Sequence, residues 1–187
     1  KAVGTNFSKT ILDKRKLAGG DLTGANFSNT SLLETDFTGT KLEGAVFTQA
    51  KATSVNFTNA LLKKVKMDGI NAKGGKFNGA QLEEASLISA TLSSATFLGA
   101  KLTRANLTKA LLDSAVLSKV ELSFSIGESV MGMYADFTEA DFTSAKWQKA
   151  NLTEAKMERL KAKEADFTEA ILEGAKLTDA VIDAAKF

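Results

Sequence analysis

Apolar residues return at every fifth position along this chain. Starting at Phe7, the series runs Leu12, Leu17, Leu22, Phe27, Leu32, Phe37 and on to Phe187; 35 of its 37 members are apolar, the exceptions being Gly127 and Gly132. Two places before each member the residue is Ala in 22 of the 37 cases, and otherwise mostly small or β-branched, as at Thr30, Val55 and Val65. Charge obeys the same rule. Among 24 basic and 22 acidic residues none falls in the Leu/Phe series, and only Arg15 falls in the Ala series. Two of every five side chains therefore face a dry interior and three face water, since burying unpaired charge is prohibitively costly.

An amphipathic helix does not produce this pattern. Five residues advance a helix by about 140° net, so the apolar positions would spiral around it instead of forming a stripe. A flat strand fails as well, because strict alternation does not reset at every fifth residue. A short extended piece carrying the inward pair two residues apart, followed by a turn, does fit, and repeating it coils the chain about an axis. The Phe positions give the size of one coil. Phe7, Phe27 and Phe47 form one series and Phe37, Phe57, Phe77 and Phe97 another, with Leu22, Leu42, Leu62, Leu82, Leu102 and Leu122 between them. Rings stacked every 20 residues predict four five-residue sides per coil, with Phe on two opposite sides and large and small side chains interdigitating between layers.

Units such as Ala25-Asn26-Phe27-Ser28-Asn29, Ala105-Asn106-Leu107-Thr108-Lys109 and Ala165-Asp166-Phe167-Thr168-Glu169 resemble the pentapeptide repeat family, whose tandem signature is Ala-(Asp/Asn)-(Leu/Phe)-X-X. The resemblance covers residues 3–187 and implies an all-β fold, a right-handed quadrilateral β-helix. On that reading residues 1–187 form a single domain of about nine coils, a rod roughly 43 Å long at ~4.8 Å per layer. Each coil buries its face only against its neighbours, as in other solenoids.

One stretch departs from the rule. From Ser123 to Tyr134 the central positions are Gly127 and Gly132, while Phe124, Met131, Met133 and Tyr134 occupy outward classes. The phase resumes at Ala135 and Phe137. Either two degenerate units fill these slots, or about ten residues bulge out as an irregular loop near 123–134. Phase does not decide, because ten residues are half a coil. Trp147, in a Phe slot, is expected inside with its side locally widened, and Arg15 in an Ala slot predicts a frayed or distorted first coil. Ile182 and Phe187 fall in the last coil with no layer beyond them. Related proteins often pair through that end, so the resemblance implies a homodimer through a helix end.

Composition removes most catalytic readings. The chain has no His, Cys or Pro. The common neutral-pH base, the thiolate nucleophile and the usual transition-metal ligands are all missing. Glu83-Glu84 and Asp136 with Glu139 are carboxylate clusters, but a core packed with side chains leaves no cavity for a substrate. The expectation is therefore no enzyme, no cofactor and no metal. A net charge of +2, spread so that each side stays within two units of zero, gives no strong pull towards nucleic acid. It also opposes the alternative the resemblance raises, a DNA-mimicking topoisomerase (gyrase) binder of the quinolone-resistance type, which needs an acidic rod. Lys63 and Lys64 are expected to meet Glu83 and Glu84 one coil later, Glu84 to meet Arg104, Lys101 to meet Glu121, and Asp141 to meet Lys161. A row of Thr38, Thr58, Thr138 and Thr178 is interrupted by Asn78, Leu98 and Glu158, too broken for an ice-binding array.

No apolar run reaches the ~20 residues that span a bilayer. The resemblance is compatible with the cytoplasm, or with the periplasm or thylakoid lumen if Lys1 marks a processed N-terminus. The reading that remains is a non-catalytic scaffold with a protein partner. Its candidate contacts are Leu111, Met131, Met133 and Tyr134, on the side centred on Leu12, together with Phe124.

Overall fold

The computed structural model describes residues 1–187. Every five-residue unit repeats the same backbone. The residue before each Leu/Phe position forms a parallel bridge to the residue 20 further on, from Asn6–Asn26 through to Asp166–Lys186. One coil is thus 20 residues and four sides, as the Phe spacing predicts, and the chain is a quadrilateral β-helix. Corners are tight turns. The N–H of each Ala-class residue donates to the carbonyl three residues earlier, as Ala45 does to Leu42 at 3.0 Å, and the residue between sits at positive φ, 65° at Gly44 and 57° at Lys64. Positive φ at the third residue is what a type II turn demands. Gly occupies some of these corners, but 27 non-glycine residues hold the same left-handed conformation. Repetition of the ladder above and below over-determines it.

The ladder leaves one donor per unit without a backbone acceptor, the N–H just after the Leu/Phe position. The recurring Asp/Asn before that position supplies it. Thr38 N–H donates to Asp36 at 3.0 Å, Thr58 to Asn56 at 3.1 Å, Thr108 to Asn106 at 3.0 Å and Thr168 to Asp166 at 3.0 Å. Where the unit lacks that acceptor, a carboxylate or amide one coil below can reach up: Asp13 to Leu33, Asp68 to Ile88, Asn78 to Leu98 and Asp113 to Met133, at 2.9–3.1 Å. The motif's polar position is a satisfied backbone requirement.

Inside, 52 apolar side chains from Leu22 to Phe167 form one continuous core. Phe7, Phe27 and Phe47 stack at 5.1 and 4.7 Å, and Phe37, Phe57, Phe77 and Phe97 at 5.0, 5.2 and 4.6 Å. The two stacks meet edge-to-face across the axis, at 5.5 Å for Phe27–Phe37. Thr30, Thr35 and Thr40 replace Ala in early coils without leaving a hydroxyl unpaired, because each donates to a carbonyl of the coil below at 2.7–2.9 Å. At the far end Val181, Ile182 and Phe187 are exposed.

The structure decides between the two alternatives for the break and corrects the expectation for Arg15. Residues 123–134 do not bulge: Ile126 bridges Lys146, Met131 bridges Asn151, and the ladder continues at 2.7 Å from Gly127 to Lys146. The two glycine units are regular, and neighbours use the volume their side chains lack. Leu152 packs on Gly132, its Cδ2 3.1 Å from where a Cβ would stand, and Trp147 lies over Gly127 so closely that a Cβ there would fall on the indole ring. Trp147 is inside, as expected, and the ladder holds around it, its backbone N–H reaching the Asp166 carbonyl at 2.8 Å, while its turn is loosened, Ala150 N–H standing 3.4 Å from the Trp147 carbonyl. Arg15 causes no distortion. Its side chain is exposed at the open first coil, and its turn and the neighbouring Lys16–Asp36 bridge are regular.

Candidate partner-binding surface

Side-chain placement follows from the 20-residue period. Leu111 bridges Met131, which bridges Asn151 and then Ile171, so these four form one outward column on the Leu12 side. Met133 points outward two residues beyond Met131, across the inward Gly132, and Tyr134 occupies the adjoining corner at φ 58°. Tyr134 is 62% exposed, Ile171 51% and Leu111 38%, with Met131 and Met133 half-buried beside them. Four of the five expected contacts therefore form one patch.

Phe124 does not join it. It lies at the corner after the Leu22 side, diagonally opposite the Tyr134 corner, and packs beneath the Arg104 guanidinium at 5.4 Å from its ring centre. Expecting it beside Met131 and Tyr134 presupposed a loop that is not there.

Carboxylates border the patch on its Tyr134 flank, and Lys109 and Lys149 stand at the corner on its other flank. Along the Leu12 side from Thr91 to Gly174 the outward residues include Asp113, Glu154 and Glu173 and no Lys or Arg. Asp113 is partly committed, since it accepts the Met133 N–H at 3.0 Å. Sequence reading alone located the apolar residues of this side but did not show how close its carboxylates lie to them.

Elsewhere charges pair between coils, though not always as expected. Lys64 and Glu84 approach to 3.8 Å, and Glu139 sits between Lys119 at 3.7 Å and Arg159 at 2.7 Å. Arg159 foremost, with Lys119, holds the Glu139 carboxyl below its usual range. Lys101–Glu121 and Asp141–Lys161 share backbone bridges, but their charged ends make no ion pair. Glu83 pairs with neither lysine and keeps one buried oxygen without a partner. Solvent screens exposed pairs of this kind, so they contribute little to stability.

The carboxylates at the repeat's polar position are occupied by the backbone. Donation from the Thr38 hydroxyl and then its N–H holds Asp36 below its ordinary value, and Thr168 does the same for Asp166. At Asp136 burial opposes ionisation most strongly, yet donors from Thr138 and Ser118 together outweigh it. The Thr38 and Thr58 hydroxyls are bound to Asp36 and Asn56 and are not free to order water. Both concavities are open surface clefts. The larger, about 450 Å³, is lined by Ile126 and by polar residues including Lys146, Lys149 and Glu169. No helix is long and apolar enough to cross a membrane.

Comparison with known proteins agrees with this architecture. HetL, a pentapeptide repeat protein involved in heterocyst differentiation regulation in the cyanobacterium Nostoc sp. strain PCC 7120, superposes with a TM-score of 0.55 at 25% identity, over 100% of this chain and 88% of that one. Full-length QnrB1, a plasmid-mediated fluoroquinolone resistance protein, gives 0.54 at 20% identity, over 94% of this chain and 92% of its own, and shares the fold alone. No curated protein sequence matches. The family model for pentapeptide repeats matches residues 11–125 in overlapping segments and 135–174, omitting the two glycine units, and the chain belongs to the pentapeptide repeat family.

Proposed function

We propose that this protein is a non-catalytic scaffold that holds a protein partner against its Leu12 side. The observation that carries the reading is the patch of Leu111, Met131, Met133 and Tyr134 on a flat, rigid wall whose other outward residues are mostly polar. The fold does not require these residues. They lie at outward positions, and Tyr134 stands at a corner that Lys, Ser, Glu or Gly fills in most other coils. A contiguous apolar patch on an otherwise polar wall is what a contact site requires.

The topoisomerase reading draws support only from the shared fold. A duplex mimic must present a dense anionic rod to a basic groove. This chain carries net +2, with lysines and glutamates interleaved and paired between coils. A gyrase supercoiling assay separates the two readings, since inhibition at low micromolar protein would favour the mimic. The scaffold reading is tested by pull-down with Met131→Ser/Tyr134→Ser, folding being checked by gel filtration. Loss of the partners held by the wild type is expected, and undiminished recovery would sink the reading.

A further inference from the structure

From the charge and spacing around this patch we infer that the partner segment is a cationic amphipathic helix lying along the rod axis; the inference rests on the contact surface proposed above. Its first support is charge. Each coil adds about 4.8 Å along the axis, so the cation-free stretch from Thr91 to Gly174 extends about 19 Å. Within it Asp113, Glu154 and Glu173 border the apolar column on its Tyr134 flank with no Lys or Arg among them, while Lys109 and Lys149 stand at the corner on the other flank, Lys149 already paired with Glu169 at 3.9 Å. Such a strip leaves its carboxylates to be matched by an incoming partner, whereas Glu34 on the same side already pairs with Lys14 at 3.9 Å.

Spacing is the second support. Leu111, Met131, Asn151 and Ile171 are successive bridge partners, so their side chains recur at about 4.8 Å. Residues three and four apart on a helix present side chains about 5–6 Å apart, close enough to stay in contact over these layers. An extended segment offers same-face side chains only every ~6.8 Å and slips out of register within two steps. Roughly 13 residues of helix, at 1.5 Å each, cover the strip. An aliphatic stripe would then lie on Met131 and Met133, whose flexible thioethers adapt to irregular contacts, with Lys or Arg on its flanks facing Glu154 and Glu173.

The probes are a fluorescein-labelled helical peptide of Leu and Lys with one apolar stripe, and the same peptide with Glu for every Lys, each titrated by anisotropy against the full chain. The lysine peptide should bind and the glutamate peptide should not. Glu154→Lys/Glu173→Lys should weaken lysine-peptide binding about tenfold or more, because like charges then face each other. Glu43→Lys/Glu164→Lys, on the opposite side, should leave it unchanged. Circular dichroism checks that each variant is folded. The inference is overturned if the wild type does not bind the lysine peptide, if both peptides bind alike, or if reversing Glu154 and Glu173 has no effect. Should Met131→Ser/Tyr134→Ser abolish pull-down of the natural partner while that charge reversal changes nothing, the contact surface stands and the cationic partner falls.

Discussion

Placing leucine at position 127 would restore the repeat's consensus and should nonetheless destabilise the protein. A Cβ at Gly127 would lie against Cε2 and Cδ2 of Trp147 and 2.7 Å from its Nε1, and the indole is fully buried with no direction of escape. Over-packing a close-packed core costs about 1–3 kcal/mol, and four added carbons on a rigid ring place Gly127→Leu near 3 kcal/mol. In a chain of this size that lowers Tm by roughly 6–12 °C. Trp147→Leu alone should cost about 2–3 kcal/mol from the void it leaves. It also strands the Ser125 hydroxyl, which accepts the indole N–H at 3.0 Å, adding about 1 kcal/mol. Combining Ser125→Ala, Gly127→Leu and Trp147→Leu writes the common Ala/Leu pattern into both layers, and stability should return to within about 1 kcal/mol of the wild type. Urea unfolding followed by far-UV circular dichroism reads all four proteins without depending on the tryptophan. If Gly127→Leu is neutral, or if the triple variant loses the sum of the separate costs, the account of the break as an exchange of volume between layers is wrong.

Three other outcomes follow from the same geometry. Trp147, the single tryptophan, should emit at short wavelength and resist acrylamide quenching, and a solvent-like emission would place it outside the core. Gly99→Ala meets no atom within 4 Å but must adopt φ 63°, so its cost of about 1 kcal/mol in urea unfolding measures backbone strain alone; no loss would show that these corners tolerate any residue freely. Asp36, Asp136 and Asp166 ionise more readily folded than at the ordinary 3.8, so the stability they contribute is present above about pH 4 and is lost as pH falls through their lowered folded values. Replacing all three by Asn, which makes the same backbone contact at Asn56, Asn106 and Asn151, should flatten that acid limb in pH-dependent unfolding; an unchanged limb would assign it to other groups.

Inside and outside were legible from sequence because the cost of burying charge is large and local. A rule that holds through a whole chain of five-residue units leaves no room for a helix or a flat sheet. The 20-residue coil was legible too, because Phe7, Phe27 and Phe47 recur at the interval at which they stack. The ion pairs were only partly legible. The period puts Lys101 beside Glu121 in the ladder, but long exposed side chains gain too little from pairing to be held together, and Lys64–Glu84 forms where Lys63–Glu83 does not.

The meaning of Gly127 and Gly132 belonged to the tertiary structure. A ten-residue bulge and two glycine units leave the downstream phase identical, so no periodicity can separate them. What separates them is volume: Trp147 falls over Gly127 only if every intervening residue stays in the coil, and the close-packed core then closes without a void. That register places Phe124 and Tyr134 on diagonal corners and brings Met131, Met133 and Tyr134 together beside Glu154. Adjacency across layers depends on how many residues each coil contains, and here packing fixed that number.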